Sequence, residues 1–153
     1  MKLNLGAGAC PLEGYVNLDG SNGDIITALS YKGVTEIRAS HVLEHFSIDE
    51  SIDVLAHWVD CLSEGGVLKI AVPDFADICR RFITGKIDFD YEMVIMGGQT
   101  DERDYHKSLW TNGKLRTIME RLGLVDIQTW QSEIKDCASY PFSLNLKGTK
   151  PHG

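Results

Sequence analysis

Short apolar runs alternate with stretches of helical periodicity along the whole chain, the pattern of a parallel sheet flanked by helices. The first run, KLNL, leads into Gly6-Ala7-Gly8, and the second, YVNL, leads into Asp19. Only ACPLEG lies between the glycines and the second run, fewer residues than a crossover helix takes. Farther on, Ser47 and Glu50 make a capping box, and Ile48, Ile52, Leu55, Ala56, Val59 and Leu62 recur on one stripe, which predicts a helix closed by Gly65. GGVLKIAVPD, at 65–74, predicts a buried central strand that Pro73 stops. Asp74 caps a predicted helix carrying Ile78, Phe82 and Ile83 and ending at Gly85. Thr111 caps another with Leu115, Ile118, Met119 and Leu122, closed by Gly123. LVDIQTW, at 124–130, and SLNLKG, at 143–148, predict the last strands, and Trp58, Trp110 and Trp130 are expected in the packing.

The segment at about 86–110 breaks the pattern, with weak periodicity, a glycine pair and dense charge. Such a long irregular stretch inside a compact domain predicts a lid or acceptor-binding segment. Gly97-Gly98-Gln99 is expected as its hinge or as a close-approach turn, and Asp101, Glu102, Arg103 and Asp104 are expected as a solvated, charged face.

Length and charge narrow the classes. The 153 residues suit one domain, 1–153, with a single core, and 43% apolar with 24% charged residues is ordinary globular composition. The formal net charge of -7, with 15 scattered Lys and Arg, supplies no phosphate-neutralising patch, so neither nucleic acid nor membrane is an expected partner. Cys10, Cys61, Cys79 and Cys137 lie far apart without a C-x-x-C pair, and the first residues lack a basic-then-apolar leader pattern, so the expected location is cytoplasmic. Oligomeric state is left open.

The opening stretch carries the first chemistry. A strand that ends in Gly-x-Gly lets backbone N–H groups approach a bulky ligand, because neither glycine has a Cβ in the way. Asp19, after the next strand, stands where a carboxylate accepts hydrogen bonds from both hydroxyls of an unphosphorylated ribose. A dinucleotide fits poorly, since the third glycine and the helix that would hold a pyrophosphate are both missing. S-adenosylmethionine, with a ribose, an adenine and an amino acid but no phosphate, is the expected cofactor.

Further motifs are family-like. ASHVLEHF, at 39–46, followed by a helix and then CLSEGGVLKIAVPD, resembles the class I S-adenosylmethionine-dependent methyltransferases. The nearest likeness is to small predicted methyltransferases with LNLG.G, GYVN.D, SHVLEH, L..GG.L.IAVPD and H.S in this order. The resemblance implies a Rossmann-like α/β fold, mostly parallel, of strand order 2-1-4-5-7-6, with strand 3 reduced or absent and the last strand antiparallel. It implies that Leu5, Gly6, Ala7 and Gly8 wrap the methionine part, that Asp19 takes the ribose beside Gly20, and that Ser40 and His41 line the cofactor. In one place the chain departs from the pattern. Where the family has an Asp-Leu near the adenine, this chain has Ala28-Leu29, so adenine is expected to rely on backbone near Leu29 and Ser30.

The implied function is methyl transfer to a small-molecule or sugar-like acceptor, leaving S-adenosylhomocysteine. The alternatives are a cofactor-binding module without transfer and an NAD-dependent oxidoreductase. His41 and His45 stand at i, i+4, a spacing that brings imidazoles together on a helix, and with His106 they are candidate catalytic proton acceptors. No metal is assigned; the lesser alternative is a divalent ion on His41, Glu44, His45 and His106. That place resembles the metal-binding Glu-x-x-Glu-His of small-RNA 3′-end ribose methyltransferases and some quinone-pathway O-methyltransferases, with His41 where the first acid stands.

Overall fold

The computed structural model describes residues 1–19, 24–27 and 29–153, so Gly20 and Ala28 lie outside the described residues. In chain order the strands are β1 (Lys2–Leu5), β2 (Val16–Leu18), β3 (Val34–Ser40), β4 (Leu62–Pro73), β5 (Val125–Thr129) and β6 (Ser143–Thr149). The helices are α1 (Asp24–Thr27), α2 (Ile48–Cys61), α3 (Phe75–Ile83), α4 (Tyr91–Met96) and α5 (Asn112–Arg121). All six strands form one mixed sheet of order β2-β1-β3-β4-β6-β5. The pairs β1/β2, β1/β3 and β3/β4 are parallel, while β6 runs antiparallel between β4 and β5. This order differs from the expected 2-1-4-5-7-6, which reserves a number for a third strand. Among the described residues, no strand lies between Leu18 and Val34.

β2 lies on one side of β1 and β3 on the other, with Leu5 level with both Leu18 and Ala39. The chain therefore leaves the ends of β1 and β3 in opposite directions, and a crevice opens at the carboxyl edge of the sheet, where open α/β sheets take their ligands.

Alternation along the strands gives the sheet two unlike faces. Leu3, Leu5, Ile37, Ala39, Leu68, Ile70, Leu144 and Leu146 are buried on one face, under Val54, Leu55, Trp58 and Val59 of α2 and Leu115 and Met119 of α5. Both long helices thus share one side. The α2 stripe turns out rotated from the expected one. Ile48 and Ile52 are exposed, while Ser51, Val54 and Trp58 face inward, the Trp58 Nε1 donating to Ile26 O at 2.9 Å. The Ser47–Glu50 capping box forms as expected, but the helix ends at Cys61, because Leu62 already pairs with Val34 in the sheet. Gly65 lies instead within β4, where its N–H donates to Lys150 O at 2.8 Å.

The opposite face carries Asn4, Glu36, Arg38, Lys69 and Asn145, and the loops 10–15 and 130–138 lie against it. Here the short β1–β2 connection is held by amides where a longer one would have a helix. Asn4 Nδ2 donates to Asn17 Oδ1 at 2.9 Å, and Asn17 accepts from Leu12 N at 2.8 Å and donates to Leu12 O at 3.0 Å. Arg38 is 1% exposed. Its guanidinium donates to Asn4 Oδ1, Ser132 Oγ and Asp136 Oδ2, and lies 5.3 Å from the Trp130 ring centroid.

Burial alone would raise the Asp136 carboxyl pKa, but the hydrogen bonds from Arg38 and Ser132 and the Arg38 charge outweigh it and hold it below the usual carboxylate range. A depressed folded-state value means that this stabilisation is present above the ordinary Asp pKa of about 3.9 and is lost as pH falls through the lowered one. Removing the partner of a buried charge costs about 3–5 kcal/mol. Asp136→Ala is therefore expected to lower unfolding stability by about that amount in urea titrations at pH 7, with the gap between wild type and variant narrowing below pH 4.

Candidate functional site

The crevice opens into a cavity of about 620 Å³, within the range of about 300–1,000 Å³ typical of small-molecule sites. Its wall is drawn from several segments at that edge. Gly6 comes from the turn after β1, Asp19 from the end of β2, Ile26 and Thr27 from α1, and His41, Val42, His45 and Phe46 from the turn after β3. Glu50 of α2 and Thr100, Asp101, Arg103, Asp104 and Lys107 of the 86–110 segment complete it.

Gly6 has φ +65, and a Cβ there would overlap Val42 Cγ2. The turn that follows is pinned by Ala7 N donating to Leu18 O at 3.0 Å, which ties the end of β1 to the end of β2. A Cβ on Gly8 would meet only Gly6 O at 4.0 Å, so the backbone there is open to a ligand. Of the residues expected around a cofactor, Gly6, Asp19 and His41 are in the wall. Ala7 is buried beneath it, Gly8 is exposed, and Ser40 is half-buried as the last residue of β3. Leu5 and Leu29 have their side chains in the core, and the Leu29 carbonyl is occupied by His57 Nε2 at 2.8 Å. Ile26 and Thr27 supply wall in that region, which sequence reasoning missed because DIIT carries no motif.

His41 stands in the left-handed region, φ +54, a conformation that costs a non-glycine residue about 1–2 kcal/mol. Its N–H donates to Ala71 O at 2.8 Å, and its Nε2 lies 2.9 Å from Ser143 Oγ. The hydrogen-bond chain beyond it fixes the proton. Asn145 Nδ2 donates to Ala138 O and Trp130 O, so Asn145 Oδ1 accepts from the Ser143 hydroxyl, and Ser143 Oγ accepts from His41 Nε2–H. On the other side of the ring, His41 Nδ1 lies 3.2 Å from Glu44 Oε1.

The left-handed backbone also overturns the expected i, i+4 pairing of His41 and His45. Only a single 3₁₀ turn, Leu43–His45, follows His41, and it sends the imidazoles different ways. His45 meets His106 instead, edge to face with centroids 4.8 Å apart. His106 Nδ1 donates to Val94 O at 2.9 Å, which leaves the lone pair on Nε2. Burial, with His45 and His41 nearby, pushes its pKa down against the pull of Glu44.

Glu44 joins these parts. It is 1% exposed, and its backbone carbonyl accepts from Lys107 N at 2.7 Å and Ser108 N at 3.2 Å, which docks the 86–110 segment onto the turn after β3. Burial raises the pKa of its carboxyl, but His41, His45 and His106 together outweigh that and bring it below the usual range.

The 86–110 segment is more ordered than its sequence suggests. It contains α4, capped by Asp90, and a bridge between Gly97 and Tyr105. Gly97 has φ +84, and a Cβ there would collide with Asp104 O, so the glycine permits a tight turn. Asp104 is a staple, accepting from Thr100 N at 3.1 Å and Thr100 Oγ1 at 2.8 Å. With Asp101 and Arg103 it forms cavity wall, where a purely solvated face was expected. Trp110, Trp58 and Trp130 are buried, as expected.

No helix among the described residues is long and apolar enough to cross a membrane. No protein-family profile matches the chain, and no curated protein sequence matches it significantly. Solved structures do. A methyltransferase from Thermotoga maritima, described as a possible histamine N-methyltransferase, superposes with TM-score 0.63 at 15% identity, over 97% of this chain and 81% of that one. An S-adenosylmethionine-dependent methyltransferase from Archaeoglobus fulgidus gives TM-score 0.61 at 12% identity, over 97% and 85%. The CurJ carbon methyltransferase gives 0.50 at 17% identity over 91% of this chain, which spans only 35% of that longer protein. At these identities the likeness is one of architecture: the chain has the fold of the class I S-adenosylmethionine-dependent methyltransferases.

Proposed function

We propose that this chain binds S-adenosylmethionine and transfers its methyl group to a small-molecule or sugar-like acceptor. The observation that carries this reading is the convergence of Gly6, Asp19 and His41, from the ends of three strands, on one cavity at the carboxyl edge of a methyltransferase-type sheet. When bound, the cofactor supplies a methyl group already activated on sulfur, so the protein has mainly to hold the acceptor in line and exclude water. Gly6, Ala7 and Gly8 bring backbone to the amino-acid part. Asp19 accepts hydrogen bonds from the ribose, and Ile26 and Thr27 stand where an adenine extends beyond it. Residues 86–110 act as an acceptor-binding lid on a single domain, with Thr100, Asp101, Arg103 and Lys107 toward the acceptor. A hydroxyl acceptor would also need an imidazole at this edge whose lone pair is free, the role the sequence offers to His41, His45 and His106.

Calorimetric titration with S-adenosylhomocysteine tests the cofactor directly, with NAD as comparator. Stoichiometric binding of the first and none of the second is expected; the reverse would overturn the reading. Methyl transfer itself is read by label moving from S-adenosylmethionine into metabolite fractions. Asp19→Ala is expected to weaken binding by about 1.5–3 kcal/mol, the worth of hydrogen bonds to a charged group, without moving the melting temperature, since Asp19 is exposed. Gly6→Ala is expected to lower the melting temperature as well as the affinity. It adds a left-handed alanine at about 1–2 kcal/mol and displaces Val42.

A further inference from the structure

The three side chains Glu44, His45 and His106 bring one donor atom each within 4.8 Å of one another. Both Glu44 carboxylate oxygens and His45 Nδ1 are buried without a hydrogen-bond partner. His41 lies close to Glu44 Oε1, but not aligned to donate well. His106 contributes a third free donor, because the Val94 carbonyl takes its Nδ1–H and leaves Nε2 bare, 4.0 Å from Glu44 Oε1. Burying both oxygens of a carboxylate and an imidazole nitrogen without a partner is costly. A cation among them removes that cost.

We propose that Glu44, His45 and His106 bind a divalent first-row transition metal ion. Two imidazoles and one carboxylate form a donor set suited to zinc, iron, cobalt or nickel, and less suited to magnesium or calcium, which favour oxygen. Donor atoms at 2.0–2.1 Å from a tetrahedral zinc lie about 3.4 Å apart, so closing onto an ion takes side-chain movement of about 1 Å.

The surroundings fit as well. A metal-bound histidine usually donates its other N–H to a carbonyl, as His106 does to Val94. His41, itself anchored on Ser143, packs against the ligand carboxylate from outside the set. Three protein donors leave at least one position of a four-coordinate shell open, and His45 stands in the cavity wall. His41 is thereby a brace, and the donor set is Glu44, His45 and His106. Metal binding and proton acceptance by the same imidazole lone pairs exclude each other.

The test titrates chelator-stripped protein with Zn²⁺ by calorimetry and with Co²⁺ by visible absorption. One equivalent of either ion per chain is expected, with Co²⁺ giving the absorption of a low-coordinate site. His45→Gln and His106→Gln are each expected to weaken binding by at least about 100-fold, since losing even an outer-shell partner costs about 10–100-fold. His152→Gln removes the exposed imidazole beside Glu64 and is expected to leave binding unchanged. Melting curves of each variant check folding, and the two histidine variants keep the test open if Glu44→Gln fails to fold. No stoichiometric binding by the wild-type chain, binding unchanged in both His45→Gln and His106→Gln, or binding lost in His152→Gln would each overturn the proposal. S-adenosylhomocysteine binding on the same preparations reports separately on the cofactor.

Discussion

A carboxylate shut away from water has to be matched by its neighbours, and Glu44 imposes that demand at the carboxyl edge of the sheet. Its side chain draws in His41, which reaches across to Ser143 on β6, and it faces His45 and His106. Its backbone carbonyl takes two N–H groups of the 86–110 segment. The end of β3, the antiparallel strand and the 86–110 segment are therefore held by one residue. Moving any of them would leave a buried charge or a buried carbonyl unmatched.

A second constraint is the length of the β1–β2 connection. With no room for a crossover helix, that side of the sheet is covered by loops, and its strands carry polar side chains to meet them. Asn17, held by Asn4, bonds both the N–H and the carbonyl of Leu12, and Arg38 with Asp136 fixes the 130–138 loop from below. The helices α2 and α5 then share the apolar face and one continuous core. Such a sheet has one dry face and one polar face, and the cavity sits at the edge where both run out.

Several parts of this arrangement are legible in the chain itself because they are local. Ser47 with Glu50, Asp74 and Thr111 each cap a helix from within four residues, and the structure has all three caps. KLNL before Gly-Ala-Gly and YVNL before Asp19 need only alternation and a turn, so β1, β2 and the end of the cavity lined by Gly6 and Asp19 follow from them. Where the local signal competes with a distant partner, the distant partner wins. The α2 helix stops before Gly65 because Leu62 pairs with Val34, and its buried stripe follows Trp58 because Ile26 offers it a carbonyl.

The histidines show the same division at the site. HVLEH advertises two imidazoles and a carboxylate, and sequence spacing pairs His41 with His45 as on a helix. The left-handed backbone at His41, held by Ala71 and Ser143, separates them and gives His45 a partner more than sixty residues away, His106. Composition, periodicity and caps determined the α/β class, every strand but β3, and the glycine turn with Asp19, because each rests on neighbours along the chain. Only the tertiary structure decided which face the helices share, that Asp101, Arg103 and Asp104 form cavity wall, and that Glu44, His45 and His106 meet, because long-range strand pairing and the matching of buried charge set those positions.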